Sequence, residues 1–345
     1  MPVWHAPQTD FALRLIWFFL SAKPVKPFHT GRAMPSKSPI KHEIVPLGGW
    51  KNNLALSNDV CELLITLEVG PRILSFAPKN GRNMFKIVEK QLGGTGEEIW
   101  RGRGGHRLWL APEGFPFSYF PDNDPVDHTV HDNGSVTLVA ADEMPQGFSK
   151  QMDVSLHPTK ARVRVNHRLV NVVDEAQVVA PWMLSVMDAG GIGIVPQPPA
   201  HDHPGLGPGD FTPDRSLVLW PFTNLSDPRY YLGQKFWTVA QHVSGEPTKV
   251  GLNSPVSWAA YYLDGTLFVK RWSFDPKADY PDRGCAFELY TDEDILELES
   301  LAPLVTLKPG GVVEAVEEWE LFENVGDFDP RDDDSIEEMI RSVGL

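Results

Sequence analysis

The chain is predicted to be all-β: a large antiparallel β-sandwich closed by a short C-terminal helix. Three observations carry the prediction. Short runs rich in Val, Ile, Leu, Tyr and Trp recur along most of the sequence, parted by Asn-Asp, Gly-Pro and Asn-Gly turn signals. Helical periodicity is confined to the tail, where Ile336, Met339, Ile340 and Val343 fall at i, i+3, i+4 and i+7. No dinucleotide glycine motif, P-loop, nucleophile elbow or zinc-protease motif breaks the series, and no internal repeat points to a propeller.

Composition narrows the partners. The 345 residues carry a net charge of -15, which argues against phosphate backbones and anionic membrane surfaces, so neither nucleic acid nor a membrane is expected as a partner. Eleven tryptophans in an acidic chain suit neutral polyols better, because indole faces stack on C–H surfaces. Cys61 and Cys285 show no CxxC or zinc spacing and read as two buried free thiols, and no cofactor or metal is expected. A weaker metal reading attaches to His201-Asp202-His203, inside a Pro/Gly-rich loop over 196–213.

Taken in order, residues 1–40 read as a disordered leader or linker outside the folded domain. The apolar run 15–20 is far too short to span a bilayer, no clean cleavage site follows it, and a start at Met34 would leave a cytoplasmic protein. An export signal is the alternative. The domain proper is expected over 41–325, followed by an acidic segment and helix over 326–345. Strands are expected at 53–58, 60–69, 72–77 and 84–88, then at the stretch beginning Gly104-Gly105-His106. Others follow at 136–141, 147–157, 161–172, 178–187, 216–221, 237–242, 257–262, 267–272, 285–291, 295–301 and 312–322. Ser335 with Glu338 reads as the capping box of the helix.

The 102–114 stretch gathers the most chemistry. At period two His106, Leu108 and Leu110 share one face, and Arg107, Trp109 and Ala111 the other. Glu113 lies just past the end. Later, Glu288 and Tyr290 oppose Phe287 and Leu289, while Glu297 and Glu299 oppose Leu296 and Leu298. Glu297 is expected to face solvent; Glu288 and Glu299 are candidates to line a concave sheet face.

At these residues the chain resembles the galactose mutarotase-like superfamily, that of the aldose 1-epimerases. The resemblance is carried by Gly70-Pro71-Arg72-Ile73, Asn80-Gly81-Arg82-Asn83, Gly104-Gly105-His106, the strand at Glu288, and Leu307-Lys308-Pro309-Gly310-Gly311 with Glu318-Trp319-Glu320-Leu321. It covers about 44–323 and is closer still to a bacterial branch with the pattern GGHRLWxAPE. It implies a supersandwich that acts on a small carbohydrate, with a glutamate one strand or so ahead of the LxPG turn as base. That position is Glu288. The family's second histidine, within NHxYFN, is matched only superficially by Asn166-His167-Arg168, and Ala180-Pro181-Trp182 takes its place in order.

The expected function is therefore carbohydrate binding, leaning towards interconversion of sugar anomers or epimers. Glu288 would serve as base and His106 as acid or orienting donor, flanking one pyranose ring. Arg72, Trp109, Glu113, Trp182, Lys270 and Glu299 complete the expected substrate-binding set. The alternative is a sugar-binding or accessory protein that does not turn its ligand over, since fold alone does not choose between them.

Overall fold

The computed structural model describes residues 39–144, 146–199, 213–253 and 256–345, and residues 37–345 form one compact unit. Most of the expected leader, and the His201-Asp202-His203 loop, lie outside the described residues. Two antiparallel sheets make up the unit. The first has eleven strands and the second ten, among the described residues.

The first sheet starts at the edge strand Lys41–Leu47 and runs through Trp50–Ser57, Cys61–Thr66, Arg72–Pro78 and Gly105–Ala111. It continues through Gln177–Met187, Leu296–Leu301, Phe287–Thr291, Thr248–Leu252 and Leu217–Leu219, with Val305–Leu307 paired beside Gln177–Met187. Sequence distance is large where space is short: Gly105–Ala111 sits between Arg72–Pro78 and Gln177–Met187. The second sheet is centred on Thr266–Trp272, Val312–Phe322 and Arg162–Asn171.

Alternation along each strand builds the core. In Val312–Phe322 Ala315, Trp319 and Leu321 are buried against the other sheet, while the residues between them are at least partly exposed apart from Glu317 and its row. Trp319 is fully buried and packs on Phe85 at 5.5 Å, Phe268 at 6.0 Å and Phe76 at 6.3 Å between ring centroids. Gly104 and Gly105 have φ of 83° and 73°, and a Cβ at Gly105 would run into the Ile73 carbonyl oxygen. Two glycines therefore let Gly105–Ala111 enter flush against its neighbour.

A polar network interrupts this core. Lys270, fully buried, donates to the Met183 carbonyl at 2.8 Å, the Leu298 carbonyl at 3.0 Å and the Ser185 hydroxyl at 3.3 Å, and pairs with Glu317 at 2.8 Å. Glu317 also accepts from Ser300 and, at 2.8 Å, from the Trp319 indole. His106 bonds Ser185 through Nδ1 at 2.9 Å and the His167 ring through Nε2 at 2.8 Å. His167 Nδ1 reaches the Ala315 carbonyl at 3.1 Å, so that nitrogen carries the proton and His167 Nε2 accepts from His106.

The structure corrects several sequence expectations. Residues 84–88 form no strand and contribute only single bridges, Phe85 to Met187 and Ile87 to Gly104. Strands Asp127–Val130, Ile192–Pro196, Tyr230–Leu232 and Thr248–Leu252 were not expected; three to five residues long or flanked by Pro and Gly, they carry little periodic signal. The helix begins earlier than the Ser335 box implies, at Asp333–Ser342, because Asp332 caps it by accepting from the Asp334 amide at 3.0 Å. Asp333 then accepts the backbone amides of Gln234, Lys235 and Phe236 at 2.8, 3.0 and 3.1 Å, which fastens the helix to the second sheet. Cys61 and Cys285 are buried and unpaired, and no helix among the described residues is long and apolar enough to cross a membrane.

Ile336 is fully buried in a cluster with Phe236, Ala260, Leu267 and Val269. Ile336→Ala should therefore cost about 2–5 kcal/mol in urea denaturation, and a loss below about 0.5 kcal/mol would show that the helix is not docked there.

Burial holds His106 well below the ordinary histidine value and His167 down to about 4. A folded value below the unfolded one means that the unfolded chain takes up protons first as pH falls from 6.5, so these histidines contribute stability at neutral pH that is lost on acidification. His167→Gln should lose less stability than the wild type between about pH 7 and about pH 5, although it starts lower. Equal losses in the two proteins would defeat this account.

Candidate functional site

The first sheet's outer face carries the site. Strand register aligns Arg72, Arg107, Leu184, Glu299, Glu288 and Gly251 in one row across six neighbouring strands. Trp109 and Trp182 stand opposite each other in the row on one side; Glu297, Tyr290 and Lys249 form the row on the other. Over these rows lies a cavity of about 390 Å³, within the range of small-molecule sites. Trp100 and Tyr119, from the chain on either side of Gly105–Ala111, wall one side; Trp220 and Phe222, which follow Leu217–Leu219, wall another.

Aromatic rings and cations interlock in this wall. Trp109 meets Tyr119, Trp100 and Trp182 edge-on, at centroid separations of 5.0, 5.1 and 5.4 Å. The Arg107 guanidinium lies 4.6 Å from the Trp109 ring and 5.4 Å from Trp100, and pairs with Glu297 at 3.1 Å. Lys249 Nζ lies 4.8 Å from both the Trp182 and Trp220 rings, and pairs with Glu288 at 2.7 Å and Glu299 at 3.0 Å. Gly251 makes room for this: a Cβ there would meet Cys285 and come within 3.0 Å of the Trp220 ring.

Some polar atoms are left over. Trp182 donates to Glu299 Oε2 at 3.0 Å, but Glu299 Oε1, fully buried, has no hydrogen-bond partner. The indole N–H groups of Trp100 and Trp109 have none either. Buried orphans of this kind are uncommon and call for an explanation. Here they flank a cavity, where hydroxyl groups, which donate and accept at once, would satisfy both kinds.

Of the residues picked from sequence, Trp109, Glu113, Trp182 and Glu299 line the cavity together. Glu288 lies beneath it, without exposure and under Lys249. Arg72 is on the same face but spends its guanidinium on the Gly102 and Gly104 carbonyls, at 2.9 and 2.7 Å, and on Asp122 at 3.4 Å. Its work is to hold the entry to Gly105–Ala111. His106 and Lys270 point the other way, into the core between the sheets. His106 and Glu288 thus stand on opposite faces of one sheet and cannot flank one ring. Glu297 lines the cavity in its pair with Arg107, where a solvent-facing residue was expected. Sequence reasoning placed Tyr290 beside Glu288 without counting it in the site, and passed over Lys249, Trp220 and Asp292; Lys249 rides on a five-residue strand after Pro247 that has no alternation to read.

His106, His167 and Glu317 have the composition of a metal site, with ligand atoms all within 4.8 Å of one another. Their atoms are already spoken for: the two Nε2 atoms bond each other, and Glu317 is occupied by Lys270, Ser300 and Trp319. A divalent ion there would also face the buried Lys270 ammonium. The cluster reads as a satisfied structural network. A larger hollow of about 780 Å³ crosses the outer face of the second sheet, but exposed ion pairs such as Arg168 with Glu314 line it, and no Trp, Tyr or Phe does.

Solved structures share this fold. A galactose mutarotase-like protein from Lactobacillus casei matches with a TM-score of 0.50 at 12% identity, over 79% of this chain and 100% of that one. A candidate mutarotase from Salmonella typhimurium matches with a TM-score of 0.51 at 10% identity, over 82% and 94%. The Slr1438 protein from Synechocystis matches with a TM-score of 0.52 at 11% identity, over 82% and 99%. The chain therefore has the galactose mutarotase-like fold. No protein-family model matches the sequence, and no curated protein matches it.

One lysine between two buried carboxylates leaves a negative charge uncompensated. Burial, the largest cause, raises Glu288 well above the usual 4.5 and raises Glu299 as well, against the pull of Lys249. A carboxyl raised in the folded state keeps its proton longer there, so the stability it contributes is present below about 4.5 and is lost as pH rises through the folded value. Glu288→Gln leaves a one-to-one pair of Lys249 with Glu299 and should lose less stability than the wild type as pH rises above about 4.5. Parallel stability curves for the two proteins would refute the retention of a proton on buried Glu288.

Proposed function

On the premise of a galactose mutarotase-like fold, we propose that the aromatic cavity binds a carbohydrate and does not turn it over. The observation that carries this reading is the set of orphaned buried atoms between aromatic walls: Glu299 Oε1 as acceptor, and the Trp100 and Trp109 N–H groups as donors. A sugar offers hydroxyls to all three and C–H faces to the rings. Binding sites of this size commonly combine apolar walls with a few convergent polar groups.

The geometry speaks against ring opening by the expected pair. Pyranose opening needs a proton acceptor at the anomeric hydroxyl and a donor at the ring oxygen, each within hydrogen-bond reach of the same ring or one water away. His106 is on the far face of the sheet, and Glu288 is sealed under Lys249. The remaining carboxylates of the cavity are engaged: Glu297 by Arg107, Glu299 by Lys249, Glu113 by the Tyr119 hydroxyl and Asp292 by the Tyr290 hydroxyl.

Titration of the protein with neutral and amino monosaccharides, followed by tryptophan fluorescence and calorimetry, should give saturable binding. Glu299→Gln should weaken it roughly 10- to 100-fold, the loss of about 1.5–3 kcal/mol for a hydrogen bond to a charged group. Polarimetry of a freshly dissolved anomer should proceed at the buffer rate with the wild-type protein present. An acceleration that Glu299→Gln abolishes would restore the catalytic reading; the absence of saturable binding by every sugar would remove both.

A further inference from the structure

We infer that the sugar this cavity selects carries a basic amino group, an inference that rests on the carbohydrate-binding reading above. The argument begins with charge. Among the described residues Glu113, Asp292, Glu297 and Glu299 line the cavity against two cations, Arg107 and Lys249. Neither cation is free to meet an anionic ligand. Arg107 is taken by Glu297 at 3.1 Å, and Lys249 is shared between Glu288 at 2.7 Å and Glu299 at 3.0 Å.

The acids are not balanced in return. Among the described residues Glu113 and Asp292 form no ion pair; their side-chain partners are the hydroxyls of Tyr119 and Tyr290. Asp292 otherwise accepts only the amides of Asp294 at 2.8 Å and Ile295 at 3.0 Å. Glu113 is exposed and Asp292 half-buried, so their negative charge is open to an arriving cation. A phosphate or a uronate would add to that charge.

The walls point the same way, independently of the acids. Each cation already present rests on indole faces, Arg107 on Trp109 and Trp100 and Lys249 on Trp182 and Trp220. A ring quadrupole attracts an ammonium approaching its face, so the cavity is built from surfaces that tolerate cations. Glu299, fully buried and lining the cavity, still presents Oε1 without a partner, which asks for a donor. Trp109, only 4% exposed, presents an unpartnered N–H, which asks for an acceptor such as a ring or hydroxyl oxygen. An amino sugar meets both demands: its ammonium answers the carboxylates, and its oxygens answer the indoles.

The test compares D-glucosamine with D-glucose and D-galactosamine with D-galactose, and adds D-glucose 6-phosphate, all by calorimetry on the full chain at low ionic strength. One amino sugar should bind at least about tenfold more tightly than its neutral parent, and that preference should shrink as salt is added, because screening weakens charge attraction. The same ratio, measured in Glu113→Gln/Asp292→Asn, should fall to near one. Neutral parents that bind as tightly as their amino derivatives, or a sugar phosphate that binds more tightly than either, overturn the amino-sugar inference and leave carbohydrate binding standing. If none of the five binds, the carbohydrate reading itself fails and the inference with it.

Discussion

The pairing register across six strands of the first sheet is the constraint on which the rest of the molecule depends. It sets Arg72, Arg107, Leu184, Glu299, Glu288 and Gly251 in one line, with side chains of neighbouring rows on the same face. A slip of one residue in any of these strands would exchange its two faces. In Gly105–Ala111 that exchange would send Arg107 and Trp109 into the core and His106, Leu108 and Leu110 to the cavity. Apolar burial fixes the register, since Leu108, Leu110, Leu298 and Phe287 belong to the inter-sheet cluster. The cavity's composition is thus a by-product of what the opposite face must bury.

The polar network between the sheets depends on the same register from the inside. A Lys270–Glu317 pair without exposure gains little over well-packed hydrophobic residues, because removing both charges from water offsets much of their attraction. What it does instead is bridge layers: Lys270 and Glu317 come from the second sheet, and the Met183 and Leu298 carbonyls and the Ser300 hydroxyl from the first. Leaving any of these groups unpaired would be expensive. The network accordingly penalises any sliding of one sheet over the other far more than an apolar contact would.

This explains what the sequence disclosed. The all-β class and the two faces of the His106 strand were legible, because period-two alternation is a local signal and long strands repeat it several times; the supersandwich came with the resemblance. The tail helix was legible for the same reason at period 3.6, although its cap moved to Asp332 among competing acids. Trp109, Trp182 and Glu299 entered one expected site only with the resemblance, since alternation gives a residue a face on its own strand without bringing strands together. His106 could not be assigned: alternation separates two faces without saying which one turns towards the other sheet, and the leucines beside it on its own face were the only hint. Lys249 was invisible, since a strand as short as Thr248–Leu252 leaves no period to detect and its partners lie some forty to fifty residues away in sequence.

The way the cavity holds its charged groups bears on proton transfer. Acid–base catalysis needs groups whose protons are free to leave and whose positions are reachable by the ligand. In this cavity Arg107, Lys249, Glu297 and Glu299 are instead each locked by a counter-charge and, for the two cations, by indole faces. Locking lowers the reorganisation needed on binding and so favours affinity, but it also holds the protons in place. These ion pairs therefore withdraw Glu297 and Glu299 from proton transfer. A histidine, whose ordinary titration range would suit that task, is present in the sheet but turned inward, where burial above all, with His167 and Lys270 beside it, keeps it neutral.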